Sequence, residues 1–95
     1  MKSKTDEIRA LYDSDQLDCC IAEAMKIAGD GGTAAAERSE AYFIMGNAYR
    51  RMNNWRLAMN SYCEAMDLDP ESPAKEAYDT IVEILDFYNH DLYNP

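Results

Sequence analysis

The sequence predicts an all-α protein of about five helices, and three observations support this. Apolar residues recur at spacings of three and four along most of the 95 residues, as they do on one face of a helix. Turn-forming residues separate these stripes, at Asp13-Ser14-Asp15, Gly29–Gly32, Asn53-Asn54 and Pro70–Pro73. No segment shows the alternation that is typical of a strand or a β-hairpin.

The first two helices are predicted to form a hairpin over residues 4–29. Apolar positions at Ile8, Leu11 and Tyr12 indicate a short first helix. The second helix carries a longer apolar stripe, made of Leu17, Cys20, Ile21, Ala24, Met25, Ile27 and Ala28. The glycine-rich stretch that follows ends this helix.

Residues 33–70 are predicted to form a second, more regular hairpin. Its first helix is expected to begin near Thr33 and to run for about twenty residues, because an alanine-rich run favours helix. One stripe of this helix holds four landmark residues: Tyr42, Met45, Gly46 and Tyr49. The second helix repeats small and aromatic residues: Trp55, Ala58, Tyr62 and Ala65. Gly46 lets another helix approach closely, and Pro70 ends the hairpin.

This second hairpin resembles the tetratricopeptide repeat. The family's pattern is W-x2-L-G-x2-Y, then A-x3-F, then a late proline, over roughly 34 residues. The landmarks above match each of these positions, with Tyr42 at the tryptophan site and Met45 at the leucine site. The resemblance implies antiparallel hairpins stacked as a short right-handed superhelix. Because one repeat does not bury its own apolar faces, we interpret the first hairpin as a degenerate repeat that stacks on the second.

A fifth helix is predicted over residues 72–89, and it resembles the capping helix of the family. A Ser-Pro pair forms its start. Its predicted buried face holds six apolar residues: Ala77, Tyr78, Ile81, Val82, Leu85 and Tyr88. Ile84 and Phe87 fall outside this face. Either the tail at residues 90–95 folds back over them, or they form a surface for self-association.

Composition and charge restrict the classes of partner. The chain has 18 acidic and 9 basic residues, and its net charge of −9 repels nucleic acid and anionic membranes at long range. No apolar run approaches the roughly eighteen residues of a transmembrane helix, and the amino-terminal stretch has no apolar core of a secretory signal. We therefore expect an acidic cytoplasmic protein that binds neither nucleic acid nor membranes.

The sequence offers no pattern for catalysis, metal binding or a cofactor. It holds no Ser/His/Asp set, and the GDGG stretch lacks the strand and the lysine of a phosphate-binding loop. Cys19 and Cys20 point about 100° apart on a helix, Cys63 stands alone, and the one histidine is His90. We predict that the protein is not an enzyme and that Cys20 fills a small core position.

A different stripe of the second hairpin is predicted to face outward: Glu40, Phe43, Asn47, Arg50, Arg51 and Asn54. In proteins that this hairpin resembles, the first helix of each repeat lines a groove that binds an extended peptide or a partner helix. The resemblance implies that Phe43 is an apolar anchor, that Asn47 binds a peptide backbone and that the arginines bind a carboxylate. Chaperone-binding members use a clamp of Lys, Asn and Arg, but Phe43 stands here at the place of the Lys. The alternative is that Phe43 packs on the first hairpin and the polar residues are simply solvated.

Two functions follow from these patterns. The first is a monomeric adaptor, scaffold or small accessory subunit that binds a peptide or helix of a cytoplasmic protein through this outward stripe. The alternative is a structural module that dimerises by a two-fold interface through Ile84, Phe87, Leu92 and Tyr93. Residues 67–95 hold eight acids against Lys75, which makes this third either a solvated face or a docking surface for a basic partner.

Overall fold

The structure, a computed structural model, describes residues 4–93, with side chains described for residues 4–87. The described chain forms five helices and no strand: α1 (Lys4–Asp13), α2 (Leu17–Ala28), α3 (Ala35–Arg51), α4 (Trp55–Leu68) and α5 (Ala74–Tyr93). The prediction of an all-α protein of about five helices is confirmed.

The helices pack in chain order, each against the next, and α1 also packs on α3. One buried apolar cluster joins α1, α2 and α3 around Ile8 and Ala24. A second cluster joins α4 and α5 around Tyr62 and Ile81. Three half-buried aromatic residues of α3 contact both clusters: Tyr42, Phe43 and Tyr49. Helix α3 is therefore the central helix of the stack.

The hairpins α1–α2 and α3–α4 turn in the same way. Helices α2 and α4 begin 38 positions apart, and α1 and α3 end at the same interval. The turn hydrogen bonds also recur at this interval. The Gln16 N–H donates to the Leu11 carbonyl at 2.9 Å, and the Asn54 N–H donates to the Tyr49 carbonyl at 2.9 Å. The two hairpins thus have matching turns, although the sequences of these turns differ.

Each turn contains one residue in the left-handed region. Asp15 has a φ of 63° and Asn53 a φ of 62°. Asp and Asn tolerate this conformation better than other non-glycine residues, because their short side chains form local hydrogen bonds. The residue types at these two positions therefore suit the tight reversal that both hairpins need.

The two hairpins bury one large and one small residue at equivalent positions, in reversed order. The first has Ile8 on α1 and Ala24 on α2, whereas the second has Gly46 on α3 and Tyr62 on α4. All four are buried. A Cβ atom on Gly46 would lie 2.5 Å from Cε1 of Tyr62, which is too close for any side chain. The predicted close approach at Gly46 is confirmed, and the atoms that fill the space belong to Tyr62.

Helix α3 begins at Ala35, two residues later than predicted, because Thr33 belongs to the α2–α3 loop. The Thr33 hydroxyl donates to Oδ2 of Asp30 at 2.7 Å, and the Gly32 N–H donates to Oδ1 of Asp30 at 3.0 Å. Lys4 Nζ donates to the Thr33 hydroxyl at 2.9 Å. These bonds hold the pKa of the Asp30 carboxyl below its ordinary value, with the Thr33 hydroxyl as the largest cause. They also tie the α2–α3 loop to the start of α1.

Helix α5 begins as predicted but extends further. The Ser72 hydroxyl accepts from the Ala74 N–H at 3.1 Å, so Ser72 caps the first turn. The helix continues to Tyr93, so residues 90–93 extend α5 and do not fold back over it. The predicted end of this helix at residue 89 is wrong, because no glycine or proline interrupts the chain before Pro95. Residues 94 and 95 lie outside the described part of the chain.

The predicted buried face of α5 is only partly correct. Ile81 is fully buried, whereas Val82 is 41% exposed. The reason is that α5 packs chiefly on one neighbour, α4, so only a narrow stripe of its circumference is covered. The side chain of Tyr88 lies outside the described residues. An apolar edge of α5 is therefore left beside its contact with α4.

Candidate functional site

The outward stripe of α3 is divided between two clefts. Glu40 and Phe43 line a smaller cleft of about 260 Å³, together with Arg9 of α1 and the Ser-Pro start of α5. Asn47, Arg50 and Arg51 line a larger cleft of about 450 Å³. The predicted residues therefore share one side of α3, but they do not form one continuous pocket.

We call the larger cleft the arginine cleft. It lies where the carboxyl-terminal ends of α1 and α3 meet the start of α4, and its lining residues are Tyr12, Asn47, Arg50, Arg51, Asn53 and Trp55. None of these six residues is acidic, although the whole chain has twice as many acidic as basic residues. Asp15, beside the cleft, pairs with Arg51, so the charge of Arg50 is the one that favours an anionic group here.

Arg51 is held across the gap between α1 and α3. Its guanidinium carbon lies 4.4 Å from the centroid of the Tyr12 ring. Its Nη1 donates to the Tyr12 carbonyl at 3.2 Å and to Oδ1 of Asp15 at 3.4 Å. A cation–π contact at an exposed site contributes about 0.5–1 kcal/mol. Arg51 therefore has a structural contact with the first hairpin in addition to its position in the cleft.

Asn47 is oriented by a buried tyrosine beneath it. The Tyr62 hydroxyl donates to Oδ1 of Asn47 at 2.5 Å, and Tyr62 is fully buried. Burial raises the pKa of the Tyr62 hydroxyl, while the nearby Arg50 cation opposes this effect by favouring the phenolate. The hydroxyl remains protonated at neutral pH and keeps donating. Because Oδ1 of Asn47 accepts this bond, its amide N–H groups are left to donate to a ligand.

Arg50 is half-buried at the wall of the arginine cleft. Among residues 4–87, no carboxylate lies within ion-pair distance of its guanidinium. Its five donors suit a planar, bidentate acceptor such as a carboxylate. Arg50 is therefore the residue of the cleft that is best placed to bind an anionic ligand.

The other predicted binding residues make contacts within the chain. Glu40 pairs with Arg9 of α1. The Phe43 ring packs on Tyr62, with ring centroids 6.0 Å apart. Asn54 caps α4, because its Oδ1 accepts from the Leu57 N–H at 3.2 Å. Asn54 does not line the arginine cleft.

The sequence pattern does not predict three lining residues of the arginine cleft: Tyr12, Asn53 and Trp55. The sequence pattern places Tyr12 and Trp55 on the spaced stripes of two helices and Asn53 in a turn. The sequence marks these residues only by position, because each stands at or next to a predicted helix end, where loops and clefts occur. Only the packing of α1 on α3 brings these ends together.

The residues predicted for self-association lie on α5. Ile84 is half-buried and Phe87 is 64% exposed. Leu92 and Tyr93 belong to the helix, but their side chains lie outside the described residues. The described part of this surface thus has one large exposed aromatic residue.

The three cysteines differ in burial: Cys20 is buried, Cys63 is half-buried and Cys19 is exposed. Cys20 is fully buried, as predicted, and its thiol donates to the Ile8 carbonyl at 3.4 Å. Burial raises the pKa of this thiol, which lowers its reactivity. Within residues 4–87, no group of three or more His, Cys, Asp or Glu side chains could hold a metal ion. No described helix combines the length and the apolar character needed to span a membrane.

The fold and the cleft define a class: small all-α proteins built from sequential helical hairpins, with a basic cleft at the turn end of the stack. No protein-family model and no curated protein matches the chain. The chain is similar to a solved protein from Bacteroides fragilis, BF1650, whose solution NMR structure was a Northeast Structural Genomics Consortium target. The identity is 33% and the TM-score is 0.81, over 99% of this chain and 91% of that one. The chain belongs to the same family as BF1650.

Proposed function

We propose that this protein is a non-catalytic, tetratricopeptide-like interaction module that binds a peptide segment of a cytoplasmic partner in the arginine cleft. The observation that carries the proposal is the composition of this cleft. It is lined by two arginines, two asparagines and two aromatic residues in a chain of net charge −9. Charge of this kind, concentrated against the overall sign of the molecule, favours an acidic peptide.

The contacts within the cleft support a peptide ligand rather than a small anion. The amide of Asn47 is oriented by Tyr62 and can donate to a backbone carbonyl. Arg50 offers a bidentate site for a carboxylate, and Tyr12 and Trp55 line the same cleft. The cleft combines backbone, charge and apolar recognition at one place, as peptide-binding sites do.

The test is capture of a partner from native lysate by the tagged protein, with identification by mass spectrometry. Arg50→Glu is the informative variant, because Arg50 has no ion-pair partner among the described residues, whereas Arg51 also joins α1 to α3. We expect the variant to lose a partner that the wild-type protein captures in stoichiometric amount. The matched control is Lys26→Glu, an equal change of charge on the exposed face of α2.

Equal capture by wild-type protein and Arg50→Glu, at equal helicity by circular dichroism, would contradict the proposal. Increasing salt provides a second check, because a bond between exposed charges weakens as ionic strength rises. A partner that stays bound to the Arg50→Glu variant, and to the wild-type protein at high salt, does not use the charge of this cleft.

A second candidate function is self-association through α5, and one observation favours it. Phe87 is 64% exposed on a helix whose remaining described surface is largely acidic. Large apolar side chains at such positions often belong to an interface. The oligomeric state of the protein tests this candidate.

A further inference from the structure

A second concave surface lies between α4 and α5, and we call it the apolar groove. It has a volume of about 430 Å³, and its polar lining residues are Arg56 and Asn60 on the exposed side of α4. The other five lining residues are Trp55, Met59 and Cys63 on α4 and Tyr78 and Leu85 on α5. All five residues are half-buried. Trp55 forms the border with the arginine cleft, but the remaining lining is different and mainly apolar.

The spacing of these residues fits a helix as the occupant. The α4 residues are four positions apart, and the two α5 residues are seven apart, so each set forms one ridge along its helix. Val82, between the two α5 residues, is 41% exposed and continues the same ridge. Two parallel ridges with a furrow between them are the surface on which an amphipathic helix packs its apolar stripe.

The position of the groove in the stack also favours a helix. Helix α3 is packed by α1, α2 and α4, whereas α5 packs chiefly on α4 among the described helices. A helix laid in the apolar groove would contact α4 and α5 together and would extend the stack by one element. In stacked helical folds each unit buries the apolar face of its neighbour.

The charge around the groove selects the type of helix. Residues 55–87 carry eight acidic residues against Arg56 and Lys75, and Arg56 lies on the α4 side of the groove. Lys75 pairs with Asp79 at 3.3 Å, but an exposed pair of this kind is weak, so Asp79 stays available to a partner's cation. Asp79 and Asp86 directly follow the two α5 lining residues and are exposed. A second copy of this chain would bring the same acids to the interface and would be repelled.

We infer that the apolar groove between α4 and α5 binds an amphipathic helix whose apolar stripe is flanked by lysine or arginine on the side that faces α5. The apolar stripe contacts Met59, Tyr78 and Leu85, and the basic flank pairs with Asp79 and Asp86. This site is separate from the proposed peptide site in the arginine cleft and does not depend on it.

Cys63 provides a local readout for the test. It is half-buried in the groove, whereas Cys20 is fully buried and Cys19 is exposed on α2. In a Cys19→Ser protein, alkylation by a small thiol reagent therefore reports chiefly on Cys63. The probe is a synthetic amphipathic peptide of about five helical turns, with leucines on one stripe, lysines on the flank that faces α5 and glutamines on the flank that faces Arg56. We expect this peptide to slow the alkylation of Cys63 at saturation by about tenfold, as burial of a thiol slows its reaction.

Two controls separate charge recognition from general stickiness. The first is the same peptide with glutamates in place of the lysines, which should give little protection. The second is a pair of double variants. Asp79→Lys with Asp86→Lys should weaken protection by the lysine peptide roughly tenfold. Asp18→Lys with Glu23→Lys makes the same change of charge on α2, where Glu23 is also paired with a lysine, and should leave protection unchanged.

Three results would overturn the inference. The lysine peptide could fail to protect Cys63, or both peptides could protect it equally. Alternatively, Cys63 could become protected without peptide as protein concentration rises, which would show that a second copy occupies the groove. Each result is independent of partner capture through Arg50, so failure here and failure of the proposed function are distinguishable.

Discussion

The contact between Gly46 and Tyr62 sets how closely α3 and α4 approach. Tyr62 is fully buried, its ring fills the space that a Cβ on Gly46 would need, and its hydroxyl reaches Asn47 in the arginine cleft. One residue therefore packs the second hairpin and orients a side chain of the candidate site. A change at this contact is expected to affect both stability and binding.

Gly46→Ala tests this contact. Alanine favours helix over glycine by about 1 kcal/mol, so an unconstrained site would gain stability. Here the added methyl group meets three ring atoms of Tyr62, two of them closer than 3.0 Å. Overpacking costs roughly 1–3 kcal/mol, and we expect a net loss measured by urea unfolding. Gly31→Ala is the control, since a Cβ there has no neighbour within 4 Å. A more stable Gly46→Ala protein would show that the helices can move apart.

The buried hydroxyl of Tyr62 predicts a dependence of stability on alkaline pH. Burial raises the pKa of this group above its ordinary value of 10.0 in the folded state. The folded state thus holds this proton more tightly than the unfolded state. The resulting stability is present below the unfolded pKa and is lost as pH rises through the folded pKa.

We therefore expect Tyr62→Phe to reduce the fall in unfolding free energy between about pH 8 and about pH 10.5. Urea unfolding of both proteins at the two pH values measures the difference. The raised pKa of the Cys20 thiol acts in both proteins, so it cancels in the comparison. An identical pH dependence in the two proteins would show that Tyr62 does not titrate differently on folding.

At the scale of the helices, the two hairpin turns share a geometry that the sequence does not repeat. The turns use Asp15 and Asn53 in the left-handed conformation. Both helix pairs depend on this reversal, because the N–H of the next residue donates back to the end of the preceding helix. The residue at this position is thus selected by its backbone conformation.

Asn53→Val should destabilise the protein by about 1–2 kcal/mol, because a β-branched residue is strained in the left-handed region. Asn53→Gly should be tolerated, since glycine adopts this conformation without strain. The matched control is Met52→Val, one position earlier, where the residue is also exposed and φ is −84°. Thermal unfolding of the three variants measures the effect, and equal losses at both positions would exclude a conformational cause.

The elements also show what the sequence can and cannot predict. The five helices follow from apolar spacing and from turn residues such as Asn53, because both signals are local. The end of α5 was misplaced, since no local breaker stands before Pro95. The positions of Asn47 and Arg50 on an outward stripe follow from helical periodicity. Their neighbours Tyr12 and Trp55 do not, because the packing of α1 on α3 depends on contacts between residues far apart in sequence.

At the scale of the whole molecule, charge is separated into two surfaces. The arginine cleft has no acidic lining residue, whereas the apolar groove has exposed acids on its α5 side and Arg56 on its α4 side. Trp55 lies between them and lines both. If a peptide binds the arginine cleft and a helix binds the apolar groove, as proposed, the two segments lie side by side, which is what an adaptor requires.

The same distribution of charge predicts the oligomeric state. A two-fold interface through α5 would bring two acidic helices together, and each copy carries a net charge of −9. Repulsion at low salt should outweigh the burial of Phe87, so we expect a monomer in sedimentation velocity from micromolar to millimolar protein. Phe87→Glu should then leave the sedimentation coefficient unchanged, as should Ala22→Glu, which adds the same charge to the exposed face of α2. A wild-type dimer that Phe87→Glu alone converts into a folded monomer would contradict this expectation. It would establish α5 as the self-association surface and would assign the apolar edge of this helix to a second copy of the chain.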